Sequence, residues 1–273
     1  MPKFKPFRKI QPLRLSLNKR GKFVLGVFLL SFLMFLSEYV SGRTIILLGL
    51  ALASLTDFFL YLVLRQDLQK KSVLPILILP FFYTLSFSLF YSLVPARFLT
   101  KIILTGLYAF GVYSLFLTEN IFAISSLRTI NLLRSARIVS FVITIFVLFF
   151  MFNVVFSLRF PLYITPVLVG ILSYLMATQF LWSYVEEKEQ GGREVSIFSG
   201  VIGLMVAELS CVLSLWPVTA SIYAIFLTGI FYTYAGLSHV WIERRLFKGI
   251  LWEYIWVGIL SVLFLAVFSK WGI

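Results

Sequence analysis

The sequence predicts an all-α bundle of about nine transmembrane helices. Hydrophobic residues make up 60% of the chain and charged residues only 13%, whereas a soluble domain carries about 25% charged residues. The apolar residues form continuous runs, without the alternation that is typical of a membrane-spanning β-strand. Lysines and arginines are concentrated between alternate runs. Together these features exclude a soluble globular domain and a disordered chain.

Each predicted span is an apolar run close to the roughly 20 residues that a helix needs to cross the hydrocarbon core. Glycine, proline or charged residues separate the runs. In chain order the runs are 23–40, 44–64, 73–93, 102–117, 138–158, 161–183, 195–215, 218–237 and 250–270. The fourth run is short, and it reaches full length only if its helix continues through Glu119 and Asn120 to Ile124.

The placement of the cations predicts the orientation of the chain, because short loops rich in Lys and Arg stay in the cytoplasm. With the N-terminus inside, 19 of the 24 cations lie on the cytoplasmic side, eight of them in a basic arm over residues 1–22. We therefore expect a multi-pass protein of the cell membrane with a single transmembrane domain over 23–271, its N-terminus inside and its C-terminus outside.

The net charge of +13 is explained by the lysines and arginines on the predicted cytoplasmic side. Cations there attract the headgroups of anionic lipids, which we expect as partners, at about 1 kcal/mol each. A nucleic-acid partner is not expected, because the charge follows the membrane boundary rather than one recognition surface.

The stretch from about 119 to 137 is predicted to be an amphipathic helix at the membrane interface. On a helix, Arg128, Asn131, Arg134 and Ser135 share one face, and apolar side chains lie broadly opposite. A membrane-hugging connector is the favoured interpretation. The alternative is that Arg128, Arg134 and Arg137 hold an anionic lipid or ligand through bidentate contacts.

The same region carries a resemblance to known sequences. Residues 118–141, TENIFAISSLRTINLLRSARIVSF, resemble a segment of uncharacterised multispanning bacterial membrane proteins. The similarity extends to Trp182, over about a quarter of the chain. It implies a multispanning fold and no activity, so it assigns a role to no residue.

Two acids fall inside predicted spans, where a charged side chain costs about 2.5–3.5 kcal/mol to insert. Asp57 shares a helix face with Ser54 and Tyr61 at spacings of three and four, and Glu208 lies in the seventh span. Acids at these staggered depths are typical of a proton relay or a cation path. They are equally compatible with protonated carboxyl groups that stabilise helix packing.

Small side chains recur along the seventh span, where they predict close helix packing. The eighth span carries a matching series four residues apart, so we expect these two helices to pack together. The residues that we assign to packing are Gly200, Gly203, Ala207, Cys211, Ala220 and Ala224.

The search for catalytic motifs finds no HExxH pair, phosphate-binding loop or GxSxG elbow. The chain has one cysteine, Cys211, and one histidine, His239, so we expect no metal site and no cofactor. The favoured function is a non-enzymatic subunit, scaffold or envelope-assembly factor of a membrane complex, with protein partners or further copies of the chain. The first alternative is a small-solute or ion transporter that uses Asp57 and Glu208. The second is a lipid-modifying enzyme that uses His239, Glu243 and the arginine-rich helix.

Overall fold

A computed structural model describes residues 18–37, 44–66, 68, 73–94, 98–125, 132–185, 189–244 and 247–269. Over these residues the chain forms nine α-helices and no strand. They are α1 Lys19–Ser37, α2 Thr44–Leu64, α3 Val73–Leu93, α4 Phe98–Ser125, α5 Leu133–Ser157, α6 Ile164–Trp182, α7 Glu189–Ser214, α8 Ala220–Ile242 and α9 Lys248–Phe268. Each helix is long and apolar enough to cross a membrane, which confirms the predicted all-α fold and the number of apolar helices among the described residues.

The fourth helix is the main departure from the predicted boundaries. It runs to Ser125, so Glu119 and Asn120 lie inside a helix whose apolar part covers Phe98–Ile124. Of the predicted interfacial helix over 119–137, residues 119–125 belong to α4 and 133–137 to α5, while 126–131 lie outside the described residues. Glu119 does not end the span because its side chain points into the bundle, where it is fully buried.

The helices surround α3 and α5, which contact several neighbours each. α5 packs against α3, α4, α6 and α8, and α3 also packs against α2 and α4. Three pairs of consecutive helices make extensive contacts: α2 with α3, α6 with α7, and α8 with α9. The interior is filled mostly by phenylalanine, leucine and other apolar side chains. This arrangement separates α2 from α7.

α9 is the most peripheral helix of the described chain. It packs on α8, and within α9 the only buried residue is Ser261. Glycines on both helices allow close contact, since Gly229 faces Ser261, Gly236 faces Tyr254 and Gly258 faces Thr233. Its C-terminal end is tied back by a hydrogen bond from the Trp216 indole to the Ser269 hydroxyl.

Candidate functional site

The structure places Asp57 in the second half of α2, with its Oδ1 atom buried and without a hydrogen-bond partner among the described residues. The two side chains that were predicted to accompany it point elsewhere. Ser54 is exposed and donates its hydroxyl to the Leu50 carbonyl of its own helix at 2.8 Å, and Tyr61 is 39% exposed. Asp57 is therefore the only one of the three whose polar group is left unsatisfied.

Glu119 on α4 is a second acid inside an apolar helix. Its side chain is fully buried. Both Glu119 oxygens and Oδ1 of Asn120 lack a hydrogen-bond partner in the described part of the chain. The sequence carried a signal for this site, since both residues lie where the helix must continue if the fourth span is to reach full length.

A network of hydroxyl groups beside Asp57 holds the three neighbouring helices in place. The Thr84 hydroxyl on α3 donates to the Thr56 hydroxyl on α2 at 3.1 Å, and it lies 3.2 Å from the Tyr108 hydroxyl on α4. All three side chains are buried. Because Thr56 directly precedes Asp57, these bonds fix the height of Asp57 relative to α4.

Aromatic contacts complete the apolar surroundings of the two acids. The ring of Phe116, which lies one helical turn before Glu119, is 5.7 Å from the rings of both Phe23 on α1 and Phe59 on α2. Phe23 and Phe116 are almost fully buried. A buried carboxyl group next to such a cluster, such as that of Glu119, is shielded from water.

Glu208 lies apart from Asp57. Its side chain is exposed on α7, and α7 packs against α6 and α8, whereas α2 packs mainly against α3. Cys211 is exposed one turn further along. The structure therefore does not bring Asp57 and Glu208 together in a common cavity.

Some of the small residues of α7 contact α6, whereas the prediction paired α7 with α8, which α7 also contacts. A β-carbon added at Gly203 would lie 2.9 Å from the Gly170 carbonyl oxygen, and one added at Gly170 would lie 3.0 Å from the Ala207 β-carbon. Gly203 and Ala207 therefore face α6. A β-carbon at Gly200 would meet nothing within 4 Å.

The contact between α7 and α8 uses a hydrogen bond between side chains. The Ser210 and Tyr223 hydroxyl groups are 2.5 Å apart, and both residues are buried. On α8, Ala224 is buried and Ala220 is half-buried. The predicted alanines therefore lie in packed positions, but the contact between α7 and α8 also depends on the hydrogen bond between Ser210 and Tyr223.

Arg137 belongs to a cluster of polar and aromatic groups at one end of the bundle. Its Nη1 lies 3.4 Å from Oε1 of Glu243, and its guanidinium lies 4.6 Å from the centre of the Tyr184 ring. The centre of the His239 ring lies 4.7 Å from the centre of the Tyr184 ring, and the two rings are tilted relative to each other. Burial raises the pKa of Tyr184 to about 12; Arg137 acts to lower it and Glu243 to raise it. The neutral phenol ring suits a cation–π contact.

This cluster brings together residues that the enzyme hypothesis required, but their contacts are internal. Arg137 binds Glu243 through Nη1 and lies over the Tyr184 ring, while Nε of Arg137 and Nδ1 of His239 are buried without a hydrogen-bond partner among the described residues. Arg134 is exposed, and Arg128 lies outside the described residues. Among the residues that are described, no group of three or more His, Cys, Asp and Glu side chains could hold a metal ion.

Comparison with known proteins adds a family but no activity. No curated protein and no solved structure matches the chain. The model of a family described as "Protein of unknown function (DUF5656)" matches residues 25–268, a range that reaches all nine described helices and extends far beyond residues 118–182. Since this match covers most of the sequence, the chain belongs to the DUF5656 family.

Proposed function

We propose that the protein is a subunit of a cell-membrane complex, which it joins through lateral contact between the outer face of α7 and a transmembrane helix of another protein. The observation that carries this proposal is the exposure of Glu208 inside a membrane-spanning helix. The N-terminus is proposed to lie in the cytoplasm, which is supported by the excess of cations on that side of the sequence.

The depth of Glu208 supports a protein partner rather than lipid at this face. The apolar part of α7 covers Gly192–Ser214, so Glu208 is roughly 7.5 Å from its middle at a rise of about 1.5 Å per residue. A carboxylate near the centre of a bilayer costs about 2.5–3.5 kcal/mol. A helix that donates a hydrogen bond to Glu208 offsets part of this cost.

The side chains around Glu208 suit close approach of a second helix. Leu204 is 65% exposed and Val212 is 56% exposed, which provides apolar surface on both sides. Gly200 has open space where a β-carbon would be, and Cys211 is small and exposed. Small residues on an outward face allow two helix backbones to come close together.

The negative charge of Glu208 supports a partner that carries a positive charge at the same depth in the membrane. Within the described residues, the lysines and arginines lie at helix ends or in the connections, and none lies in the middle of a span. A second copy of the chain therefore has no cation at the depth of Glu208. The partner that fits is a different protein with a Lys or Arg inside a transmembrane helix.

The proposal is tested by photo-crosslinking from Cys211 in native membranes. A thiol-attached benzophenone on the full chain is expected to give an adduct with a second protein that carries a Lys or Arg within a membrane span. Because interhelical polar contacts are worth about 0.6–1.7 kcal/mol, Glu208→Leu is expected to reduce the adduct by roughly three- to eighteenfold. Glu253→Gln is the matched control, since Glu253 is also exposed but lies at the start of α9.

Two results would contradict this function. One is an adduct formed only between two copies of the chain, which would show that this face mediates self-association and does not bind a basic partner. The other is an adduct that Glu208→Leu leaves unchanged, which would remove Glu208 from the interface. Labelling of lipid alone, with no protein adduct in wild type, would reject the complex altogether.

A further inference from the structure

A cavity lies at the end of the bundle where α5 and α7 end and α6 and α8 begin. Its volume is about 390 Å³, which falls in the range of about 300–1,000 Å³ that small-ligand sites occupy. Phe156, Phe160 and Val218 give it apolar surface, and Thr165 and Ser214 give it hydroxyl groups. The lining therefore suits a ligand that is partly apolar and partly polar.

Arg159 supplies the charge of this cavity, which we name the Arg159 cavity. The residue is exposed, and over the described residues no carboxylate forms an ion pair with it. None of the described residues that line the cavity is Asp or Glu. A ligand that enters the cavity thus meets a cation and no acid.

The backbone of Arg159 lies in the left-handed region, at φ 49°. Arg159 follows Leu158, the C-cap of α5, and its amide donates to the Phe156 carbonyl at 3.2 Å. Glycine is the usual residue at this position of a helix end, because a β-carbon there costs free energy. The chain carries this cost at the residue that brings a positive charge to the cavity.

Contacts inside the bundle hold the rest of the lining in place. The Phe156 ring stacks on the Tyr223 ring, with 4.3 Å between the ring centres, and the Tyr223 hydroxyl lies 2.5 Å from the Ser210 hydroxyl. Ser214 donates its hydroxyl to the Ser210 carbonyl at 2.8 Å. These walls are formed before a ligand enters, which reduces the ordering cost of binding.

A second cavity, at the end of α8, has a different charge pattern. Its volume is about 460 Å³, and its lining includes Trp241, Glu194 and Arg244. Arg244 also has a left-handed backbone, at φ 55°, but here an acid accompanies the arginine. The Arg159 cavity is therefore the one that favours a ligand of net negative charge.

We propose that the Arg159 cavity binds the headgroup phosphate of an anionic phospholipid. The guanidinium binds two phosphate oxygens, and the adjoining part of the acyl chains packs on Phe156, Phe160 and Val218. A zwitterionic headgroup fits less well, because no acid among the described lining residues neutralises its ammonium group. A free phosphate ion leaves the apolar lining unused. The site does not use Glu208, so it is independent of the proposed contact at the outer face of α7.

The test is photo-crosslinking of the full-length protein in phosphatidylcholine nanodiscs that contain a low mole fraction of phosphatidylglycerol with a diazirine near its glycerol. Mass spectrometry of the digested protein is expected to locate adducts within 156–165 and 214–218. Because hydrogen bonds to charged groups are strong, Arg159→Gly is expected to reduce these adducts by about tenfold or more. Arg159→Lys keeps the charge without the planar fork and should reduce them less.

The control is Arg244→Gly, which also removes an arginine from a left-handed position beside a cavity and should leave these adducts unchanged. Both glycine variants are expected to fold, since glycine adopts this backbone conformation without strain. A higher midpoint of thermal unfolding for Arg159→Gly, together with loss of its adducts, would show that Arg159 serves binding at a cost in stability.

The outcomes of the crosslinking decide the proposal. Adducts that require both Arg159 and the anionic headgroup support it. Equal labelling by a phosphatidylcholine probe, or labelling that Arg159→Gly leaves unchanged, overturns it, since either result identifies ordinary boundary lipid. Displacement of the adducts by inorganic phosphate also overturns it, because the cavity would then be a site for a free anion.

Discussion

Gly203 on α7 and Gly170 on α6 bring their two helices so close that there is no room for a β-carbon at Gly203, which would lie 2.9 Å from the Gly170 carbonyl oxygen. The obstacle is backbone, which cannot move aside as the end of a flexible side chain can. Close contact of this kind is a main source of helix association in membranes, where the hydrophobic effect between helices is absent.

Gly203→Ala is therefore expected to destabilise the bundle by about 1–3 kcal/mol, the usual cost of overpacking. The matched control is Gly200→Ala, three residues earlier on the same helix, where a β-carbon meets nothing within 4 Å. Unfolding of both variants in mixed detergent would measure the difference. Equal stability of the two variants would mean that α6 and α7 do not meet at Gly203.

The pair of Arg137 and Glu243 predicts a salt-dependent contribution to stability. Both side chains are about one quarter exposed, at 23% and 24%, so solvent weakens the ion pair to about 1 kcal/mol or less. Glu243→Gln is expected to lower the free energy of unfolding by that amount at low salt and by less at high salt. Arg137→Met should cost more, because it also removes the contact with the Tyr184 ring. An effect of Glu243→Gln that does not change with salt would contradict an ionic origin.

The hydroxyl network at Thr84 predicts a second stability difference. Thr84→Val removes hydrogen bonds to Thr56 and Tyr108 and leaves two buried hydroxyl groups with fewer partners, so we expect a loss of about 1–2 kcal/mol. Thr178→Val is the control, because Thr178 is exposed and its hydroxyl bonds only to the Tyr174 carbonyl of its own helix. Thermal unfolding in detergent compares the two, and the control should lie within about 0.5 kcal/mol of wild type.

The orientation of the bundle is a prediction that reporter fusions can test. A reporter active only in the cytoplasm is expected to work at the N-terminus and in the connections after α2, α4, α6 and α8. A reporter active only outside is expected to work at the C-terminus. Both termini in one compartment would require an even number of crossings and would contradict nine spans.

The number of helices was predictable from the sequence because crossing a bilayer demands a minimum length of apolar chain, and each run meets that demand locally. The sequence left two ends open for α4, Leu117 and Ile124, since a hydropathy criterion treats an acid as a boundary whether it faces lipid or protein. Glu119 faces protein, and nothing in its own sequence neighbourhood reveals this.

The sequence also did not predict which helices pack together, because this depends on how each helix is rotated about its axis. Asp57 and Glu208 both lie inside apolar runs, yet Oδ1 of Asp57 is buried and Glu208 is exposed. Small residues in α7 predict close packing, but they could not identify α6 as the neighbour of Gly203 and Ala207. Contacts between distant segments require knowledge of the assembled bundle.

The narrow attachment of α9 has a consequence for biosynthesis. Among the described helices α9 packs mainly on α8, and within α9 only Ser261 is buried. The last described helix in chain order is thus the one on which the earlier helices depend least. We expect a delay in the insertion of α9 to leave α1 to α8 free to fold, because α9 docks onto a surface that those helices already form.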